Sequence, residues 1–202
     1  MHVNSHDLAA ALAALAVPGV VTGARLIVAA DLDELHDVER AKVANAVPRR
    51  QHEFASGRAL LRELLGTNDT IPVGPSRAPH LPQGVVGSLA HDREVVVAAV
   101  TRDPAITALG IDVEPAEPLS SDMARVILRD DEAGLDAHLA FTLKEAAYKA
   151  WSTGGGRMLD HHEVRLRVDG DRFTATVLPD GSDLRGRFAM AADRYVALVM
   201  VP

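Results

Sequence analysis

Three carboxylate side chains fall in a pattern that could hold a divalent cation. Asp112 and Glu114 alternate on a predicted strand, so both leave one face while Val113 turns to the other. Apolar neighbours on both sides make this pair costly to bury unless a cation lies there. With a third carboxylate from Glu145, the set offers the oxygen ligands that Mg²⁺ prefers. The alternative is a strand end that carries two solvated acids, and the spacing alone leaves both interpretations open.

Glu145 belongs to the stretch FTLKEAAYKAW at residues 141–151, which predicts a helix because it is rich in strong helix formers. Thr142 and Glu145 have the spacing of a capping box, so Thr142 is expected at the start of this helix. Lys144 and Lys149 frame Glu145, and this arrangement suits a bound anion whose charge a metal partly offsets. A surface helix with an ordinary Glu–Lys pair one turn apart is the alternative.

Three arginines are candidates for binding phosphate, because guanidinium binds phosphate bidentately. Arg50 and Arg58 lie two turns apart on a helix predicted over residues 49–65. Arg77 lies in a Pro- and Gly-rich loop at residues 67–83, and loops of this length are often functional. Solvated surface positions are the alternative for each arginine.

Two residues at the end of a predicted strand could also contact phosphate. Ser88 and His91 bring a hydroxyl, backbone amides and an imidazole to one place. A single histidine at such a position could instead be an ordinary turn residue. The segment STGGG at residues 152–156 offers a flexible loop, but it lacks a Walker lysine and is therefore not a P-loop.

The composition indicates a globular protein of one large domain or two small ones, since 202 residues suffice for a real core. The chain has no cysteine, which excludes disulfides, thiolate nucleophiles and cysteine metal sites. The net charge of −7 argues against a general binder of nucleic acid or anionic membranes. The apolar N-terminal segment has no basic leader and is too short to span a membrane, so a cytoplasmic protein is expected.

Periodicity and turn signals predict an α+β chain. Helices are expected at residues 7–16, 31–45, 49–65, 120–129 and 141–151. Strands are expected at residues 20–30, 85–90, 95–101, 108–114, 163–168, 173–178, 187–191 and 195–201.

Two Val-rich segments, residues 92–100 and 193–201, are similar to each other. In each half of the chain a strand leads to a long helix and then to a hairpin. The sequence therefore predicts two similar lobes related by a pseudo-twofold axis, 1–104 and 105–202, each a small antiparallel sheet packed on a long helix. Chance similarity of two Val-rich strands is the alternative.

Three blocks of the sequence resemble the 4′-phosphopantetheinyl transferases. They are GVVGSLAH at residues 84–91, GIDVE at residues 110–114 and FTLKEAAYKAW at residues 141–151. The segments RRQHEFASGRALLR and SRAPHLP extend the match. The lobe order resembles the two-lobed branch named for the surfactin and enterobactin synthetase enzymes, and not the short trimeric acyl-carrier synthases.

The resemblance implies that the phosphopantetheine arm of coenzyme A is moved onto a serine of an apo acyl or peptidyl carrier protein, releasing adenosine 3′,5′-bisphosphate. It implies Mg²⁺ held by Asp112, Glu114 and Glu145, with Glu145 also accepting the serine proton directly or through a water. Lys144 and His91 are expected to steady the phosphates, and Lys144 to stabilise the leaving group. The other residues expected to bind coenzyme A are Arg50, Arg58, Arg77, Ser88 and Lys149.

The resemblance also implies a monomer with coenzyme A in the cleft between the lobes. The carrier is expected to dock at residues 120–135, on an apolar stripe with a basic rim. The stripe consists of Met123, Val126 and Ile127, and the rim of Arg125 and Arg129. Burial of the stripe in the core is the alternative.

Two departures from the family pattern concern the adenine pocket and a turn. Leu81 stands where the family often has Trp, and the turn after His91 lacks the common Cys-Gly run. Two other functions remain as alternatives: a catalytically silent module that binds coenzyme A or a carrier, and a Mg²⁺-dependent hydrolase of a nucleotide pyrophosphate.

Overall fold

A computed structural model describes residues 5–74, 78–153 and 157–202, so Arg77 and the glycines 154–156 lie outside the described residues. The first half contains α1 (Ser5–Ala14), β1 (Val20–Leu26), α2 (Asp37–Val43), α3 (Pro48–Leu65), β2 (Val86–His91) and β3 (Val95–Thr101). The second half contains β4 (Ala108–Pro115), α4 (Ser121–Ile127), α5 (Ala137–Thr153), β5 (Val164–Asp169), β6 (Arg172–Val177), β7 (Ser182–Ala191) and β8 (Arg194–Val201). Short 3₁₀ helices lie at Ala29–Glu34, Asp130–Glu132 and His161–Glu163.

The two halves repeat one arrangement of strands and helix. The first sheet has the order β1-β3-β2 and the second β4-β8-β7-β6-β5, with antiparallel neighbours throughout. Helix α3 packs on β1 and β3, and α5 packs in the same way on β4 and β8. The Val-rich segments are β3, which lies between β1 and β2, and β8, which lies between β4 and β7. The α+β fold with two similar halves is therefore confirmed, and the β5–β6 hairpin is an addition to the second half.

An apolar core joins the halves. Val97 of β3 packs with Ile111 of β4 and Leu198 of β8, and leucines of α1 cover this cluster. The predicted lobe boundary at residue 104 falls in the connection between β3 and β4. Because the halves share a core, their division into two separate domains stays a prediction.

Helices α1 and α4 differ from their predicted bounds by one or two residues at each end, and two other helices differ more. Helix α5 begins at Ala137, where the Asp136 carboxylate accepts the Leu139 amide at 2.8 Å. Thr142 is fully buried inside the helix and its hydroxyl donates to the carbonyl of His138, so its predicted capping role is wrong. The helix predicted over residues 31–45 is interrupted before α2.

In the described ranges, no helix combines the length and the apolar character needed to cross a membrane.

Candidate active site

Strand β4 and helix α5 touch through their backbones at Gly110. A Cβ atom at this position would collide with the carbonyl oxygen of Ala146 and lie 2.7 Å from the amide nitrogen of Ala150. Only glycine allows this approach. The close packing brings Asp112 and Glu114 of β4 close enough to Glu145 of α5 for their charges to affect one another.

The three predicted metal ligands, Asp112, Glu114 and Glu145, are called the acid group below. Asp112 is only 4% exposed. Its Oδ1 accepts a hydrogen bond from the Lys149 ammonium at 2.6 Å. Its Oδ2 is buried and has no hydrogen-bond partner among the residues that the structure describes. A buried carboxylate oxygen without a donor is costly, and a cation would satisfy it.

Burial raises the pKa of all three carboxyls. It raises the pKa of Asp112 to about 6, although Lys149 opposes the change. Burial, together with the negative charge of Asp112, raises the pKa of Glu114 to about 7. Burial also raises the pKa of Glu145, against the effect of Lys149. Among the described residues, no three His, Asp or Glu side chains are already assembled as a metal site. The acid group therefore suits a cation but is not closed around one.

A cleft of about 720 Å³ lies beside the acid group, between α3 and the C-terminal part of α5, with β2 along its wall. Lys149 lines this cleft and also bonds Asp112, so it connects the cleft to the acid group. Four further predicted ligands of coenzyme A line the cleft: Arg50, Arg58, Ser88 and His91.

Arg50 and His91 contact each other directly, beside a glutamate that the sequence analysis missed. The Nη1 of Arg50 lies 2.9 Å from the Nε2 of His91, and Glu53 lies 3.4 Å from the first and 3.6 Å from the second. Burial lowers the pKa of His91, so the ring is neutral near pH 7. Its Nδ1 then donates to the carbonyl of Asp92 at 3.3 Å, and its Nε2 accepts from Arg50. Glu53 follows Arg50 by three residues, a helical spacing that could have indicated this contact.

Arg58 and Ser88 line the cleft from fixed positions. Arg58 is 2% exposed, its Nε donates to the carbonyl of Ile71 at 2.7 Å, and its guanidinium stacks 4.2 Å over the ring of Phe54. Burial lowers the pKa of Arg58 to about 10. The Ser88 hydroxyl accepts the Ile111 amide at 3.1 Å, which links β2 to β4. Both residues therefore support the fold as well as the cleft.

Lys144 does not reach the cleft. Its ammonium is buried and donates to the Glu132 carboxylate at 2.7 Å, the Ile127 carbonyl at 2.8 Å and the His161 carbonyl at 2.9 Å. These contacts use its three donor hydrogens. This geometry corrects the expectation that Lys144 steadies the phosphates and the leaving group, because no donor is left for them.

The predicted docking segment divides into an exposed part and a buried part. Met123 and Val126 are 48% and 54% exposed, whereas Ile127 is fully buried. Arg125 pairs with an exposed aspartate, while Arg129 donates to the carbonyl of His162 and to Asp131. Docking of a carrier here stays a prediction, and it rests on Met123, Val126 and Arg125.

A histidine beside the acid group was also missed. His138 is 8% exposed, with Nε2 3.6 Å from Glu114 and Nδ1 2.7 Å from the carbonyl of Glu117. Because the helix was predicted to begin at residue 141, His138 was not placed on it. The capping carboxylate of Asp136 is the signal that would have extended the helix.

The fold and the cleft define a class: a two-lobed α+β protein with a cationic cleft beside a group of buried and half-buried carboxylates. Residues 38–101 match the family described as 4′-phosphopantetheinyl transferase N-terminal domain. Residues 108–199 match the family described as 4′-phosphopantetheinyl transferase superfamily.

Similar proteins with known names belong to the same family. The chain is 40% identical to 4′-phosphopantetheinyl transferase Svp of Streptomyces mobaraensis, over 74% of this chain and 68% of that protein. It is 30% identical to 4′-phosphopantetheinyl transferase PptT of Mycobacterium tuberculosis, over 73% of this chain and 74% of that protein. A third relative, 4′-phosphopantetheinyl transferase Npt of Nocardia iowensis, is 31% identical over 76% and 75% of the two chains. The chain belongs to the 4′-phosphopantetheinyl transferase superfamily.

Proposed function

We propose that the cleft binds coenzyme A and that the acid group directs its phosphopantetheine arm onto the serine of an apo carrier protein. The observation that supports this most strongly is the position of Lys149. It lines the cationic cleft and bonds Asp112 of the acid group at 2.6 Å. A pyrophosphate in the cleft would therefore lie next to the acid group.

The donor set of the acid group fits Mg²⁺. Asp112, Glu114 and Glu145 would hold the ion, and the unpartnered Oδ2 of Asp112 is the atom most in need of it. When bound, Mg²⁺ would neutralise charge on the pyrophosphate.

Residues of the chain supply the remaining parts of the reaction. Arg50 is 52% exposed in the cleft and is proposed to bind the phosphate at the adenosine end. Lys149 is proposed to bind the pyrophosphate. Glu145 is proposed to accept the proton of the attacking serine, and the raised pKa of this carboxyl suits a general base. The serine oxygen attacks the phosphorus that carries the pantetheine arm. The bond from that phosphorus to the bridging oxygen breaks, and the oxygen leaves with adenosine 3′,5′-bisphosphate.

The carrier is proposed to dock on the exposed part of the segment at residues 120–135. Met123 and Val126 would provide apolar contact there, and Arg125 would attract an acidic carrier. A cytoplasmic location and a monomeric state remain predictions from the sequence.

Mass spectrometry of an apo carrier incubated with coenzyme A, Mg²⁺ and the protein tests this proposal. The wild-type protein is expected to add one phosphopantetheine group. Asp112→Asn should slow the addition strongly, because a buried negative ligand is lost. Asp33→Asn makes the same chemical change at an exposed position and should have no effect.

Three outcomes would count against the proposal. Coenzyme A cleaved without a carrier would favour the hydrolase. Coenzyme A bound but never transferred would favour a silent binding module. An Asp112→Asn protein as fast as wild type at limiting Mg²⁺ would show that the acid group holds no essential metal.

A further inference from the structure

A second cavity lies outside the active-site cleft, on the face of the five-stranded sheet that is turned away from α5. Its volume is about 420 Å³, which lies in the usual range for a small-molecule site. None of its lining residues lines the active-site cleft. It is therefore a separate place where a ligand could bind.

One wall of this second cavity is apolar. Leu198 and Met200 of β8 form it, together with Val17 from the segment after α1. Leu198 belongs to the core that joins the halves, and Val17 and Met200 pack against that core. An aliphatic group could be buried against them.

The neighbouring part of the lining, on the same face of the sheet, is cationic. Arg172 of β6 stands directly across from Arg187 of β7, and Arg185 lies two residues away on the same face. Arg167 of β5 lies on the same face, because it pairs with Thr174 of β6, and Thr174 pairs with Arg185. Four arginines and a single aspartate therefore line one cavity of a protein whose net charge is −7.

This arrangement of arginines destabilises the folded protein, and a bound anion would remove that destabilisation. Like charges directly opposite each other in a sheet are destabilising. Arg187 donates to Asp171 at 2.6 Å through one terminal nitrogen, but its Nε is buried and has no hydrogen-bond partner in the described ranges. Arg172 and Arg185 are exposed, and the described contacts give neither of them a carboxylate partner. Asp169 lines the cavity and Asp171 pairs with Arg187, so the four arginines outnumber the carboxylates near them by two to one.

We propose that this cavity binds a small amphipathic anion, with its carboxylate or phosphate head on the arginines and a short aliphatic body against Val17, Leu198 and Met200. Guanidinium suits either head group. The apolar wall selects a ligand with a hydrocarbon body over a bare inorganic ion. The proposal is independent of the proposed function, because it uses no residue of the acid group or the active-site cleft.

Calorimetric titration of the full chain with four probes tests the inference. Octanoate and octyl phosphate carry both a head and a body. Octanol has only the body, and inorganic phosphate only the charge. At least one of the two octyl anions is expected to bind one to one, about tenfold or more tighter than octanol and inorganic phosphate. The tighter of the two octyl anions identifies the head group.

Variants locate the site. The double variant Arg172→Ser/Arg185→Ser removes two exposed charges and should weaken the octyl anion by about tenfold or more. Arg93→Ser removes one exposed charge outside the cavity and should change the affinity little. Thr174→Trp keeps the charge and fills the space, so it should also weaken binding of the octyl anion.

Melting temperatures check that each variant is folded. If one variant does not fold, the four probes on the wild-type protein and the remaining variants still test the proposal. Failure of both octyl anions to bind the wild-type protein would overturn the proposal. It would also be overturned if the Arg172→Ser/Arg185→Ser protein bound them as tightly as wild type, or if inorganic phosphate bound equally well.

Discussion

The two halves of the molecule fasten their long helices in the same way. In the first half, the buried carboxylate of Glu39 accepts from Arg62 of α3 at 3.0 Å. In the second half, the buried carboxylate of Glu132 accepts from Lys144 of α5 at 2.7 Å. Each glutamate also accepts the amide of the residue before its own short helix, at 3.0 and 3.1 Å. Each accepts one more amide from a distant segment, at 2.8 and 2.6 Å.

The halves differ in what they present to the cleft. Helix α3 contributes the cations Arg50 and Arg58. Strand β4 and helix α5 contribute the acid group, with Lys149 bonded to it. The repeated scaffold therefore carries arginines inside the cleft in the first half and the acid group beside the cleft in the second half. The comparison teaches that the halves repeat the buried glutamates that hold their long helices and differ in the residues at and beside the cleft.

The largest expected effect concerns the functional side of this comparison, at Glu145. Glu145→Gln keeps the shape of the side chain but cannot accept a proton. Single-turnover transfer to an apo carrier should fall by ~10²–10⁴-fold from loss of the base. Coenzyme A should still bind, since the cations of the cleft remain, and calorimetry checks this. Transfer at the wild-type rate at saturating Mg²⁺ would exclude Glu145 as the base.

The next effect concerns the fastening glutamates. Lys144→Met leaves the Glu132 carboxylate buried without its cation and should cost about 3–5 kcal/mol in the free energy of unfolding. Arg62→Met should cost a similar amount through Glu39. Adding Glu132→Gln to Lys144→Met should recover part of the loss, because the buried charge is then removed. Urea unfolding measures all three variants.

A small loss in the free energy of unfolding would contradict the view that the two halves hold their helices in the same way. If Lys144→Met costs less than about 1 kcal/mol, the pair behaves as an exposed one. Lys144 would then be available for phosphate, as the sequence first suggested.

A smaller effect is expected for Arg50, on the cationic side of the cleft. Arg50→Ala should weaken coenzyme A binding by about 1.5–3 kcal/mol, the value of a lost charged hydrogen bond. Arg49→Ala is the matched control, because Arg49 pairs with the same Glu53 but does not line the cleft. Calorimetry with dephospho-coenzyme A separates the contacts: if Arg50 binds the 3′-phosphate, this ligand should be insensitive to the change. Equal losses for both variants would assign Arg50 to the fold.

The smallest effect concerns the proposed carrier surface at residues 120–135, in the second half. Arg125 is 77% exposed, so its reversal to Glu should raise the KM for the carrier by up to about fivefold. Affinity for coenzyme A should not change. Arg102→Glu, which reverses another exposed arginine, should leave the carrier KM unchanged. Equal KM values for all three proteins would exclude residues 120–135 as the docking surface.

Local signals in the sequence predicted much of the fold. Helix α3 begins at Pro48 and ends before Gly66, which has the left-handed φ of 64° that closes helices. Ser120 caps α4 as expected, with its hydroxyl accepting the Met123 amide at 3.3 Å. These features depend only on residues near one another in the chain, so they are readable without the structure.

The fates of the charged residues were less predictable, because they depend on distant partners. Lys144 and Glu145 are adjacent, yet successive helical residues point about 100° apart, and only one of them is within reach of Glu132. Arg58 was correctly expected on α3, but its burial depends on the carbonyl of Ile71, which a loop delivers. Sequence spacing identifies which residues share a helix face, and it does not reveal what covers that face.

Gly110 has a consequence for how this protein tolerates mutation. The separation between β4 and α5 is set by two main chains in contact, so the side chains of the surrounding core do not determine it. Deep mutational scanning should therefore find many acceptable exchanges among the Ala and Val residues nearby. It should find almost none at Gly110, a position that carries no functional group. A residue without a side chain would then rank with the carboxylates in mutational sensitivity, because it maintains the spacing between them.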